Sequence, residues 1–184
     1  MLRTSCPEDD TKMETERMTT PLELAQRFPY MFAGKNLGIG ISKGWMPMFE
    51  NLCAQIDAIL GEDKLGFHWR QVKEKFGSGR FYWSVDQTQP PQSDMPESDG
   101  HLSSPFDESE THPDETSRIA QIRNLVSEMS DATAEICIAC GKSPAKATVN
   151  NGYYLVLRAE HATKWQHGAD LSSGIWFDSS EDVP

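Results

Sequence analysis

The chain has 184 residues, a formal net charge of −11 and a mean hydropathy of −0.55. That is enough for one domain of ordinary size, and polar enough that much of the chain lies outside any core. No apolar run approaches the roughly 18 residues of a membrane span, and the polar, acidic stretch Met1 to Met18 is neither a signal peptide nor a typical transit peptide. These features predict a cytoplasmic protein with no membrane partner, in which Cys6, Cys53, Cys137 and Cys140 are thiols or metal ligands rather than disulfides. Met13 and Met18 stand as alternative starts.

The charge is unevenly spread. Residues 86–115 carry nine acids and no Lys or Arg, whereas residues 18–85 and 116–177 together carry 14 bases and 11 acids. The low isoelectric point therefore reports solvated tails and a solvated linker, and argues only weakly for a DNA mimic.

Residues 1–19 read as disordered. Thr20, Pro21 and Glu23 form a helix start, and that helix should stop near Pro29. Tyr30 to Ser42, broken by Gly34, Gly38 and Gly40, reads as an irregular loop; no strand precedes these glycines, so they make no nucleotide fingerprint. Trp45 to Leu60 is the strongest helix. Trp45, Phe49, Leu52, Cys53, Ile56, Ile59 and Leu60 recur every three or four residues as one apolar stripe. Pro47 fits its first turn, Gly61 stops it, and Cys53 on the stripe is a small core residue.

Phe67 to Lys75 predicts a strand with Phe67, Trp69 and Gln71 on one side. Gly77-Ser78-Gly79 would turn the chain into a second strand, Arg80 to Val85, rich in aromatic residues. This hairpin is expected to pack on the Trp45–Leu60 helix. Residues 86–115 are too poor in large apolar side chains to offset the entropy of ordering, and read as a disordered acidic insertion; His101 and His112 within it are solvated. Thr116 or Ser117 caps a second helix to about Ala134, with Ile119, Ile122, Leu125, Val126 and Met129 on its apolar side.

The last third carries the chemistry. In Cys137-x2-Cys140-Gly141, two thiolates two residues apart suit one ion, and the glycine relaxes the tight turn. Asn151-Gly152 predicts a two-residue hairpin between Ala147–Val149 and Tyr153–Leu157, which would return His161 toward the cysteines. The spacing C-x2-C-x20-H-x5-H makes Cys137, Cys140, His161 and His167 the candidate ligands of a structural zinc ion. On a continuous helix the two histidines stand about 240° apart, so both can reach one ion only if the helix ends or bends between them. Two packed thiols, or a redox pair without the usual βαβ surroundings, are the other readings.

Four blocks in this order resemble a family of small, mostly uncharacterised phage and prophage proteins. They are Arg27-Phe28-Pro29-Tyr30-Met31-Phe32, the helix from Gly44-Trp45 through Cys53, Gln71 to Tyr82 (QVKEKFGxxRFY, the most specific), and the ribbon-like segment Cys137 to His161. The resemblance covers roughly residues 25–165 apart from the insertion. It implies a phage-like origin and work in the cytoplasm of a bacterial host, but no biochemical activity. In that pattern a third cysteine stands three residues before the histidine; here it is Arg158, which cannot ligate zinc. Either His167 replaces it or this chain has lost the metal.

The expectation is an α+β fold: a helix on an aromatic hairpin (residues 20–85), the acidic insertion, a second helix with a zinc-ribbon-like segment (116–168) in the same domain, and a flexible tail (169–184). The leading function is a non-enzymatic phage accessory protein that binds a host or phage macromolecule. A second is nucleic-acid binding through Lys73, Lys75, Arg80 and Tyr82, whose mix of bases and aromatics suits a stacking surface. A third is an enzyme using Asp57, His68, Glu74 or His161, although no spacing pairs a nucleophile with a base.

Overall fold

Thr20 opens the ordered chain with a reciprocal cap. Its hydroxyl accepts the Glu23 amide at 3.2 Å, and the Glu23 carboxylate accepts the Thr20 amide at 3.0 Å. This cap starts α1 (Pro21–Arg27) as anticipated. Pro29 ends that helix, yet it also begins a one-turn helix, α2 (Pro29–Phe32), because proline is well placed at a first helical position. The computed structural model describes residues 18–34, 38–85 and 113–178. The expected disordered N-terminus up to residue 17, and the acidic insertion from 86 to 112, lie outside them.

Among the described residues the protein is a mixture of helices and two separate antiparallel hairpins. The stretch expected as an irregular loop holds α2 and a short parallel bridge between Ile39 and Val72. There the Gly40 amide donates to the Val72 carbonyl at 2.8 Å. Helix α3 (Met46–Leu60) buries Met46, Phe49, Leu52, Cys53, Ile56 and Leu60, the face its periodicity marks, and stops at Gly61.

The first hairpin pairs β1 (His68–Lys75) with β2 (Ser78–Ser84). Its turn is Phe76-Gly77, both at positive φ (53° and 79°), rather than Gly77-Ser78-Gly79. The register shifts between Trp69 and Gln71, which corrects the expected facing. A bulge moves the alternation by one residue, so Trp69 and Val72 are buried while Gln71 pairs with Tyr82 on the opposite face. The buried rings form one cluster: Phe49 lies 5.2 Å from Trp69 and 5.8 Å from Phe81, and Phe67 lies 5.2 Å from Trp69.

Helix α4 (Pro113–Thr133) begins three residues before the expected cap. Pro113 suits a first helical position, and Asp114 and Glu115 complement the positive end of the helix dipole. It packs along α3 and β2, burying Ile122, Val126 and Met129, and the Thr133 hydroxyl accepts the Gly79 amide at 2.8 Å. The second hairpin, β3 (Lys146–Asn150) and β4 (Tyr153–Leu157), turns at Asn151-Gly152 as expected. Helix α5 (Ala159–Gln166) follows, then the short α6 (Ser172–Ile175).

The expected flexible tail is docked as far as residue 178. Ile175 is buried, its carbonyl accepts the Lys43 amide at 2.7 Å, and the Lys43 ammonium lies 5.6 Å from the Phe177 ring. The apolar run Ile175-Trp176-Phe177 supplies the area that a solvated tail would lack.

A close backbone approach at two glycines joins the two halves. A Cβ on Gly44 would lie 2.3 Å from the Cys137 carbonyl oxygen, and one on Gly141 would lie 2.6 Å from the Gly44 carbonyl oxygen. Backbone atoms cannot move aside as a side-chain end can. Gly44→Ala is expected to cost about 3 kcal/mol in urea unfolding, whereas Gly174→Ala, with nothing within 4 Å, should stay within about 0.5 kcal/mol. Equal effects would contradict this packing.

Candidate metal centre

The segment after α4 folds back on itself as a tight knuckle. The Gly141 amide donates to the Cys137 carbonyl at 2.8 Å, and the Cys137 amide to the Lys142 carbonyl at 3.0 Å. Gly141 has φ +69°, which favours glycine there. The Ile138 amide donates to the Val156 carbonyl at 2.9 Å, tying the knuckle to β4. Chain reversal through the second hairpin then delivers His161 in the first turn of α5.

Cys137, Cys140 and His161 converge. One ligand atom from each lies within 4.8 Å of the others, and the Cys137 sulfur is 3.3 Å from His161 Nδ1. Around a tetrahedral zinc ion, the usual Zn–S and Zn–N lengths place neighbouring ligand atoms about 3.6–3.8 Å apart. The three side chains therefore fit a metal with little movement. Cys137 is fully buried, and Cys140 and His161 are half-buried. Burial pushes the Cys140 thiol above its ordinary pKa, and the neighbouring Cys137 adds to the rise.

His167 does not join them. It caps the C-terminus of α5, exposed, with its amide on the Thr163 carbonyl at 3.1 Å. The helix runs unbroken from His161 to Gln166, so the angular offset of the two histidines is not relieved. The fourth ligand position offered for His167 is thereby corrected.

Arg158, at the place of the absent cysteine, precedes α5 as its N-cap. Its guanidinium is 3.1 Å from the Glu160 carboxylate, and its proximity favours the Cys140 thiolate against the rise that burial causes. A cation beside a ligating thiolate is an outer-shell partner, and Glu160 offsets its positive charge. The sequence marks Arg158 as an anomaly but gives no sign of this pairing.

The other candidate residues are dispersed. Cys53 is buried in α3 with its thiol raised to about 12 by burial, in keeping with a core residue. Asp57 accepts the Tyr30 hydroxyl at 2.7 Å and the Lys64 ammonium at 2.6 Å; Lys64, above all, holds its carboxyl below the ordinary value. Glu74 accepts the Gly77 amide at 2.6 Å and is pushed upward by burial. His68 Nε2 is 2.9 Å from the Ser84 hydroxyl, with Nδ1 on the Gly66 carbonyl at 3.2 Å. Sequence reasoning missed this serine–histidine pair because it depends on the cross-strand register. Lys73, Lys75, Arg80 and Tyr82 do share the outer face of β1–β2.

No family model matches the chain, and no curated protein or solved structure proves similar to it.

Thiol ligands must lose their protons to bind metal, so affinity should rise with pH, by about 100-fold per unit while both thiols start protonated. In a competition assay with a chromophoric chelator, Cys137→Ser and Cys140→Ser should abolish stoichiometric binding and His161→Ala should weaken it at least tenfold. His167→Ala should bind like the wild type; loss of binding in that variant would restore it as a ligand.

Proposed function

We propose that this chain is a non-catalytic binding protein, a phage or prophage accessory factor of the bacterial host cytoplasm, whose ribbon-like C-terminal segment is locked by one structural zinc ion. The convergence of Cys137, Cys140 and His161 on a knuckle hydrogen-bonded into the core carries this reading. Two thiolates and an imidazole are soft enough to favour zinc over magnesium or calcium. Held there, zinc would join the knuckle to the start of α5 and stabilise the fold outright.

A structural role is favoured over a catalytic one by what surrounds the site. A catalytic zinc keeps an open position with a base nearby; here the charged group beside Cys140 is the cation Arg158, whose guanidinium pairs with Glu160. Binding is favoured over catalysis because Asp57, Glu74 and His68 each satisfy a separate local contact. The phage assignment rests on the four sequence blocks alone. No helix among the described residues is long and apolar enough to cross a membrane.

Protein produced with zinc and gel-filtered should carry about one zinc per chain by elemental analysis, and its removal by a chelator should lower the melting temperature by roughly 10 °C or more. Metal-free protein, or an unchanged melt after removal, would contradict the structural role. Pull-downs from a bacterial lysate should enrich a macromolecule on the full chain over empty resin. Enrichment of none would contradict the binding role.

A further inference from the structure

The β1–β2 hairpin uses only one of its faces for the core. Trp69, Val72 and Phe81 point inward and are buried. The segment around Ile39 bridges the edge of β1, and Thr133 meets the edge of β2. The outer face carries Gln71 opposite Tyr82, Lys73 opposite Arg80, and Lys75 opposite Ser78. Lys75 and Arg80 are exposed, and Tyr82 is 50% exposed.

Three cations thus share one face, and among the described residues no carboxylate forms an ion pair with any of them. Glu74, the acid in the middle of β1, is instead committed to the Gly77 amide at the turn. Like charges directly opposite across a strand pair, as Lys73 and Arg80 are, destabilise the sheet. An anion on this face would relieve that cost.

The face also presents rings. The Lys73 ammonium lies 5.5 Å from the Tyr82 centroid, and the Lys75 ammonium 5.3 Å from that of Phe76. Phe76, at the hairpin tip, is 71% exposed and meets the exposed Tyr154 of β4 edge to face at 6.2 Å. Gly77 beside it lies close to Val156, where an added Cβ would come within 3.2 Å of a Val156 methyl, and the Val156 carbonyl receives the Ile138 amide of the knuckle. Rings at the two ends therefore flank the three cations over roughly 17 Å, taking about 3.4 Å per strand residue.

We propose that this face binds single-stranded nucleic acid, with phosphates on Lys73, Lys75 and Arg80 and bases stacked on Tyr82, Phe76 and Tyr154. The inference rests on the reading above that the protein acts by binding, and it names the partner. Cations alone would suit an acidic protein surface equally well, but exposed rings beside them suit the faces of unpaired bases. The chain's net charge of −11 opposes phosphate and keeps the interaction weak and salt-sensitive.

The test titrates the zinc-loaded full chain into fluorescently labelled oligothymidine at about 20 mM and 200 mM salt. Binding should weaken with a log–log slope of about −2, three phosphates at about 0.7 each. The double variant Lys75→Gln, Arg80→Gln should reduce that slope to about −0.7. Tyr82→Ala and Phe76→Ala should each weaken binding roughly tenfold with the slope unchanged. Arg80→Gln should bind more weakly while melting no lower than wild type, since it removes a like-charge pair. No binding at low salt, ring variants that bind as wild type, preference for duplex, or equal competition by polyglutamate would overturn the proposal. Zinc is measured on the same samples: a metal-loaded protein that ignores the oligonucleotide overturns this inference alone, whereas a metal-free one overturns the structural-zinc reading.

Discussion

The knuckle of Cys137–Gly141 is locked backbone to backbone onto Gly44-Trp45, and the arrangement of the rest depends on that contact. The Gly44 amide donates to the Ile138 carbonyl at 3.0 Å, and the indole N–H of fully buried Trp45 donates to the Ile136 carbonyl at 3.0 Å. Each such bond contributes only about 1 kcal/mol net, but a buried donor left unpaired costs up to about 3. Gly44 and Gly141 supply the closeness, since a Cβ on either would overlap the other segment's backbone.

Several consequences follow from this lock. It joins segments some 90 residues apart across the acidic insertion, so the helices on either side share one core. It fixes the height of the knuckle against β4 through the Ile138–Val156 bond, and β4 in turn sets where α5 begins and His161 stands. The same Val156 lies close to Gly77 at the tip of the first hairpin. A metal bound by Cys137, Cys140 and His161 would thus brace the knuckle, the second hairpin and, at one remove, the aromatic tip around Phe76. Arg158 stands beside Cys140 in this arrangement, with its charge met by Glu160.

Legibility followed the range of the interaction concerned. The cap at Thr20, the stripe on α3 and the Asn151-Gly152 turn are set by residues within a few positions of one another, and all were readable. The cysteine pair and His161 were readable by spacing because an intact hairpin lies between them. The bulge after Trp69 was not, since it depends on which residues the core and the opposite strand select. Nor was the docking of Ile175, which needs Lys43, 132 positions earlier, as its partner. His167 failed because helix α5 continues through the place where a bend was required. The place of Arg158 beside Cys140 is set by tertiary folding, which no local pattern encodes.

Hydrogen exchange with and without chelator tests most directly whether metal and core are joined through this lock. If the knuckle holds a metal, removing it deprotects the amides of Gly44, Ile138 and Cys137 together, because the Gly44 bond ends on the knuckle that the metal would brace. Loss of protection confined to residues 137–167, with Gly44 as slow as before, would contradict it.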